Sequence, residues 1–399
     1  MLNLSPNWQL RIRFTIIGIL LLLTATFLVS ISQYKVHDSD SRLYAAIAHD
    51  TSTLPIRYWS APEWNGHWGN QGYFYEHPPG LFMFGALFGR LGLNAFPAIY
   101  LVNFLSWLIS LALLAAIAQK LIGNNSGITA VLIWVLSPMF IQYLVRGNQE
   151  NPITTCVLLG VFACVVLRHH FYRALFFGIA LTGAVLIKGA AGMLLVGVIA
   201  WVWWLRGHKL AEFLELIAGS LFVVVAAFIL EQWHQSVTGA SFWGSYLQAQ
   251  VRVSLGEIRI LNKFANLGFY FVRPWWFFFP WIFLLLWPFW RYFKYKETTF
   301  KHPTFYLGIG TLAIYIGGFS LFDRACDRYL FPAYPMCAIS TAFVIYNGNI
   351  HFFARMRNII ERYQARLPYF LAGALAIAVA LKVYIGLFHY IYIQPWRGG

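Results

Sequence analysis

Charge is what this chain of 399 residues most lacks: Asp, Glu, Lys and Arg make up 11% of it, where soluble domains carry roughly a quarter. So few charges cannot cover a water-facing surface of this size, so a soluble globular fold is excluded and lipid replaces water around most of the protein. Acids are the scarcer sign, 14 against 29 Lys and Arg, for a net charge of +15. In a soluble protein that excess would point to nucleic acid; here the basic residues sit in short loops between apolar runs, so the charge reads as membrane topology and no nucleic-acid partner is expected. Cysteine is also scarce. Cys156, Cys164, Cys326 and Cys337 form no C-x-x-C pair and read as core-like side chains, without a disulfide or metal framework. Short strands of alternating polarity are missing too, which argues against a transmembrane barrel.

What the chain does have is long apolar runs, at 14–32, 95–119, 126–145, 152–168, 172–188, 190–205, 213–231, 270–290, 303–322, 329–347 and 368–390. They predict an all-α integral membrane protein with about eleven transmembrane helices. Aromatic residues at 19% suit the headgroup level at both ends of such helices. The first run follows Arg11 and Arg13 and is longer than the apolar core of a cleaved signal peptide, so it reads as an uncleaved anchor. Residues 1–347 form the expected transmembrane module, and 348–399 a cytoplasmic linker with a final helix.

With the N-terminus in the cytoplasm, every cytoplasmic connection is basic: Lys120; Arg168 and Arg173; Arg206 and Lys209; Arg291 to Lys301; Arg355 to Arg366. This is the positive-inside pattern. Ten of the 14 acids then fall on the opposite face, together with the two longest connections, 33–94 and 232–269. Loops of that length within a compact fold are usually functional. The short apolar segment 79–93 is expected as an interfacial or juxtamembrane helix on that outer face.

Five polar elements gather on the outer face by this topology. Asp38-Ser39-Asp40-Ser41-Arg42-Leu43-Tyr44 puts two acids near the membrane plane, where a carboxylate can take a proton from a hydroxyl; an Asp or Ser there would equally cap a short helix. Glu76-His77-Pro78-Pro79 sets two polar groups before a proline pair that leads into a helix. Arg146-Gly147-Asn148-Gln149-Glu150 is either a site loop or a plain loop with an i, i+4 ion pair. Lys188-Gly189 interrupts an apolar run on the side where lysine is disfavoured, which points to an anionic partner. Asp323-Arg324-Ala325-Cys326-Asp327-Arg328-Tyr329-Leu330-Phe331-Pro332 either pairs its own charges at helical spacing or presents arginine to a phosphate. A lipid-linked phosphosugar requires this combination: a carboxylate for the acceptor and cations for the departing phosphate.

In that order the motifs resemble the C-type (GT-C) glycosyltransferases that use polyprenyl-phosphate sugars, nearest the bacterial relatives of protein O-mannosyltransferases and the aminoarabinose and galacturonic acid transferases of lipid A. The resemblance covers most of residues 10–340. Asp40 and Tyr44 match the first-loop acid and tyrosine; Ser41 stands where a second acid is usual, with Asp38 close by. His77 stands where some members have a phosphate-contacting lysine before the prolines, Glu150 replaces the usual Asp of the second acidic motif, and Lys188-Gly189 matches the Lys-Gly element. Gln250 to Ser254 with Arg259, then Arg273-Pro274-Trp275, resemble the later outer loop, and Arg328-Tyr329-Leu330-Phe331-Pro332 is the most specific match.

The resemblance implies sugar transfer with inversion from a polyprenyl-phosphate donor to a hydroxyl of an envelope lipid, glycan or protein. It implies Asp40 as base, with Asp38 and Glu150 as further carboxylates. Arg328, Lys188, His77, Arg259 and Arg324 are the candidates for the donor phosphate, and Tyr44, Glu76, Arg146, Gln149 and Tyr329 for substrate positioning. No cofactor is required by such chemistry and no metal ligand set is apparent. The expected location is the cytoplasmic membrane of a bacterium, with the site facing outwards. The rival readings are a transporter, against which the scarcity of midspan charges (Lys382 excepted) argues, and an inactive assembly subunit of the same fold.

Overall fold

The computed structural model describes residues 38–123, 126–143, 146–207, 209–252, 260–296, 301–322 and 325–348, with 355, 358–359, 362 and 366 beyond them. The expected spans at 14–32 and 368–390, and most of the linker 348–367, lie outside the described residues. Among the described residues the elements are helices, with one isolated bridge between Glu63 and Tyr73.

The segment expected as the first outer loop contributes α1 (Ser39–Thr53) and α2 (Gly80–Arg90). Asp38 caps α1 by accepting the Ser41 N–H at 2.7 Å, so the capping reading of this acid holds. Pro78-Pro79 leads into α2 as expected, with Pro79 at the N-cap. Long helices follow. α3 (Ala95–Ile122) ends at Gly123, whose φ of +87° an L side chain rarely adopts. The run expected at 126–145 is two helices, α4 (Ser126–Val135) and α5 (Pro138–Tyr143). Pro138 has no N–H to continue the ladder and biases Ser137 away from helix, so one straight span is not formed.

Next come α6 (Glu150–Val165), α7 (His170–Lys188), a 3₁₀ turn (Gly189–Met193), α8 (Leu194–Leu205) and α9 (Leu210–Thr238). The connection after α9 carries the short α10 (Phe242–Tyr246) and a π turn, Leu247–Arg252. α11 (Ile260–Phe277) and α12 (Trp281–Tyr295) meet at 108°, so the run expected at 270–290 is a bent pair and not one straight helix. α13 (Pro303–Ser320), a 3₁₀ turn (Asp327–Ala333) and α14 (Tyr334–Asn347) close the described chain.

Among the described residues, four helical stretches are long and apolar enough to cross a membrane: Ala95–Ile122, His170–Leu205 across its break, Leu210–Thr238 and Asp327–Asn347; the bent pair would make a fifth. Three shorter apolar helices, Gly80–Arg90, Ser126–Val135 and Glu150–Val165, pack among them. Burial sorts their roles. Only 17% of the apolar window of α9 is buried, against 89% for Asp327–Asn347, so α9 offers its side chains to lipid and α14 runs through the core.

α7 sets the depth of the molecule. Its 19 residues rise about 28 Å, close to the hydrocarbon thickness of a bilayer. At one end Arg173 pairs with Glu212 and Glu215; at the other is Lys188. The two polar clusters therefore sit at opposite ends of the bundle, one membrane core apart. Beneath the Lys188 end lies a buried aromatic floor, with Trp107 4.2 Å from Phe140 and Tyr143 5.1 Å from Phe331 between ring centroids.

α2 lies against the same end of α7. A Cβ on Gly80 would come 2.5 Å from the Leu186 carbonyl oxygen, so only glycine allows this approach. Gly80→Val is expected to force the two helices apart and cost about 1–3 kcal/mol, read as a lower melting temperature in detergent.

Asp38 yields a second expectation. Burial alone would raise its pKa, but Arg146 and the Ser41 N–H outweigh this and hold it below its ordinary 3.8. A depressed carboxylate contributes its stability above its ordinary pKa and loses it as pH falls through the folded value. Asp38→Ala should therefore lower the melting temperature at neutral pH, by about 1–2 kcal/mol of stability, and the two proteins should converge as pH drops below about 4.

Candidate active site

The site is a chain of alternating charges drawn from four distant segments. Lys188 is the last residue of α7, which stops because Gly189 adopts φ +57°. Its side chain, 7% exposed, donates to Glu150 Oε1 at 2.7 Å. Glu150, at 3% exposure, opens α6, where the helix dipole favours a negative charge. Arg328 Nε lies 3.4 Å from the same Glu150 oxygen, and its Nη1 bonds Asp40 Oδ2 in the first turn of α1. The order is Lys188, Glu150, Arg328, Asp40, each charge touching one of opposite sign.

A second pair braces the first. Arg146 Nε lies 3.0 Å from Asp38 Oδ2, and the Gly147 N–H donates to Ser41 Oγ at 2.8 Å. Asp38 is thus engaged in capping and in holding Arg146, while Ser41, which replaces the usual second acid, ties α1 to the loop before α6. The plain-loop reading of Arg146 and Glu150 as an i, i+4 pair is not what forms. Arg146 precedes the helix that Glu150 begins, so the two do not share a helical face. Likewise Arg328 reaches across to Asp40 and Glu150, while its neighbour Asp327 pairs with Arg273 at 2.7 Å. That pair fixes the 3₁₀ turn from which Arg328 projects.

Aromatic rings wall the charges. Lys188 Nζ lies 4.9 Å over the Tyr329 ring, and the Arg328 guanidinium 5.9 Å from it, both attracted by the electron-rich face. Tyr44 is buried edge-on to His77 at 5.9 Å and to Phe82 at 5.6 Å. Burial, with the Glu150 charge adding to it, pushes the Tyr44 phenol well above its ordinary pKa, so it remains a neutral donor. Beside it the amide nitrogen of Gln149 and both amide atoms of Asn148 are buried with no hydrogen-bond partner among the described residues. Arg259 and Arg324, the other expected phosphate ligands, lie outside the described residues.

Two spaces adjoin Lys188. One is a small cavity of about 70 Å³ walled by Glu76, His77, Lys188, Tyr246, Gln250 and Tyr329. The other is an apolar groove of about 930 Å³ along α2, α7 and α9, running past Leu186, Ile187, Leu221 and Phe222 and nearly devoid of polar surface. The connection after α9 borders the cavity through Tyr246, whose hydroxyl accepts the Ala190 N–H at 2.9 Å. Any side chain on Gly189 would collide with that ring. His234, at the end of α9, accepts or donates to Tyr75 Oη at 3.2 Å and bonds the Ser60 carbonyl at 2.9 Å, which fixes the turn holding Glu76 and His77.

Sequence reasoning missed Tyr246, His234 and the Arg273–Asp327 pair. Single tyrosines and histidines at helix ends carry no local signal; only the fold brings them to the site. Among the described residues no three His, Cys, Asp or Glu side chains gather as a metal-binding group.

Comparison with known proteins bears on the fold. Residues 76–231 match the model of the dolichyl-phosphate-mannose-protein mannosyltransferase family. The fold is similar to ArnT from Cupriavidus metallidurans in the apo state, at 16% identity and a TM-score of 0.62, over 93% of this chain and 73% of that one. The same protein bound to undecaprenyl phosphate gives 15% identity and a TM-score of 0.56 over the same shares. An Archaeoglobus fulgidus oligosaccharyltransferase in the apo form gives 12% identity and a TM-score of 0.54, over 96% of this chain and 57% of that one. No curated protein matches by sequence. Together these matches show that the chain shares the helical fold of these proteins, with its central segment matched by the mannosyltransferase family model.

Proposed function

We propose that the protein moves a sugar from a polyprenyl-phosphate donor to a hydroxyl of an envelope lipid, glycan or protein, with inversion, on the extracytoplasmic face of a bacterial cytoplasmic membrane. The observation that carries this reading is the arrangement of Asp40, Arg328, Glu150 and Lys188: a base candidate and two phosphate-binding candidates share one buried contact chain. The apolar groove beginning one residue from Lys188 supports a lipid tail on the donor, as does the undecaprenyl phosphate bound by ArnT. The basic loops at the far end of the bundle support the outward orientation.

In this mechanism Asp40 takes the proton of the acceptor hydroxyl as its oxygen attacks the anomeric carbon. The new C–O bond forms on one face of the sugar, and the bond to the phosphate oxygen breaks on the other. The electron pair leaves with the phosphate, where Arg328 and Lys188 meet the charge and His77 lies within the same cavity wall. A phosphate needs little protonation to leave, so preorganised cations suffice; a glycosidase, by contrast, must protonate its leaving group. Glu150 holds Lys188 and Arg328 in place until the phosphate arrives. Gln149 and Tyr44 offer hydrogen bonds to the substrates. Asp38 and Arg146 position the first turn of α1 and thereby Asp40.

Asp40→Asn should lower kcat by about 10²–10⁴-fold with donor KM nearly unchanged, measured as release of undecaprenyl phosphate in envelope membranes; near wild-type turnover would remove Asp40 as base. Lys188→Met should cost about 3 kcal/mol of stability, because buried Glu150 loses its closest partner. Adding Glu150→Gln should restore most of that stability without restoring donor turnover, a split readable from melting temperature and rate in the same preparations.

A further inference from the structure

We propose that Arg273, together with Asn266 and Tyr270, positions Arg328 for the donor phosphate; this rests on the transferase reading above. The three residues stand at i, i+4 and i+7 of α11 and so share one helical face. All three grip the same short segment. The Asn266 side-chain amide donates to the Phe322 carbonyl, the Tyr270 hydroxyl accepts the Cys326 N–H at 3.1 Å, and Arg273 Nε lies 2.7 Å from Asp327 Oδ1. Arg328 is the next residue, and its side chain leaves this segment to meet Asp40 and Glu150.

The sidedness of α11 is the second argument. Its opposite face is apolar and exposed, through Phe264, Phe271 and Trp275. On the inner face Tyr270 is fully buried and Arg273 nearly so, and burying a hydroxyl or a guanidinium costs free energy unless each is paired. Apolar side chains of similar volume often serve stability as well as a buried ion pair does, or better. Stability alone therefore does not account for the Arg273–Asp327 pair, whereas placement of the residue that follows Asp327 does. Arg273 is itself held, its guanidinium lying 4.1 Å from the centre of the Phe269 ring.

The segment also needs support from outside. α13 ends at Ser320, and the 3₁₀ turn begins only at Asp327, so no continuous helix carries Arg328. Its Nε is 3.4 Å from Glu150, a contact that a shift of about 1 Å would undo. When a phosphate arrives, the guanidinium exchanges carboxylate oxygens for phosphate oxygens. With the backbone held at Cys326 and Asp327, that exchange is confined to side-chain rotation. A fork already in place loses less freedom for each hydrogen bond it makes.

The test uses purified full-length protein in lipid nanodiscs and measures the dissociation constant of undecaprenyl phosphate together with the melting temperature. Arg328→Gln should weaken binding about tenfold or more, through loss of charged hydrogen bonds to the phosphate. Arg273→Lys should weaken it about fivefold, because an ammonium cannot hold Asp327 with the planar fork of a guanidinium. Tyr270→Phe, which keeps the ring and removes only the hydroxyl, should weaken it in the same direction and serves in place of Arg273→Lys should that variant not fold. Joined to Arg328→Gln, either change should weaken binding no further, since a residue that acts through Arg328 has nothing left to act on. A merely structural role would weaken binding in both backgrounds alike, and losses that multiply in this way overturn the proposal. Wild-type affinity in both Arg273→Lys and Tyr270→Phe, with Arg328→Gln impaired, overturns it as well. Wild-type affinity in Arg328→Gln overturns the assignment of Arg328 to the phosphate, and the positioning role with it. Failure of the wild type to bind undecaprenyl phosphate at all overturns the donor reading itself.

Discussion

A carboxylate and a lysine taken out of water each lose several kcal/mol of hydration, and proximity restores this only when the geometry of pairing is good. Glu150 and Lys188 are both almost fully enclosed, and the rest of the site is arranged around satisfying them. Arg328 gives Glu150 a second cation and carries the contact outward to Asp40, which is more exposed. The charges therefore grade from a buried pair to a half-buried one. The interior end is closely enclosed, and the end at Asp40 keeps some access to solvent.

Holding such a chain requires backbone that comes closer than side chains normally permit. Gly80 lets α2 touch the backbone of α7, and Gly189 lets the Tyr246 ring rest on the end of the same helix. Both contacts converge on the last turn before Lys188. The aromatic floor of Trp107, Trp134, Phe140, Tyr143 and Phe331 lies below the residues that carry Arg146 and Arg328, so cations enter the site from a stiff, dry base. Water is kept away on that side, which strengthens every ion pair above it.

Much of the architecture was legible before any coordinates. Low charge and long apolar runs identify a helical membrane protein because lipid leaves backbone groups no partner but each other. Pro78-Pro79 announces a helix start, and Asp38 an N-cap, because both act within one turn of the chain. The errors have physical reasons as well. The runs at 126–145 and 270–290 look like single spans by hydropathy, yet Pro138 and the residues around Pro280 break them. Apolarity reports burial or lipid contact, not straightness. Of the two readings of Arg146 to Glu150, the i, i+4 pair gave way to longer contacts with Asp38, Lys188 and Arg328, because spacing predicts contact only where both residues lie on one helix.

The sequence by itself determined the solvent of this protein and its helical class, and named polar side chains as candidates for chemistry, since these depend on composition and on interactions a few residues long. Only the tertiary structure decided which charge meets which. Arg328 and Asp40 are 288 positions apart, and Tyr246 is 56 from Ala190; no local pattern encodes such partners. They follow from helix packing, in which glycine contacts and ring stacking set the registers of whole helices, and every side chain at their ends is carried along.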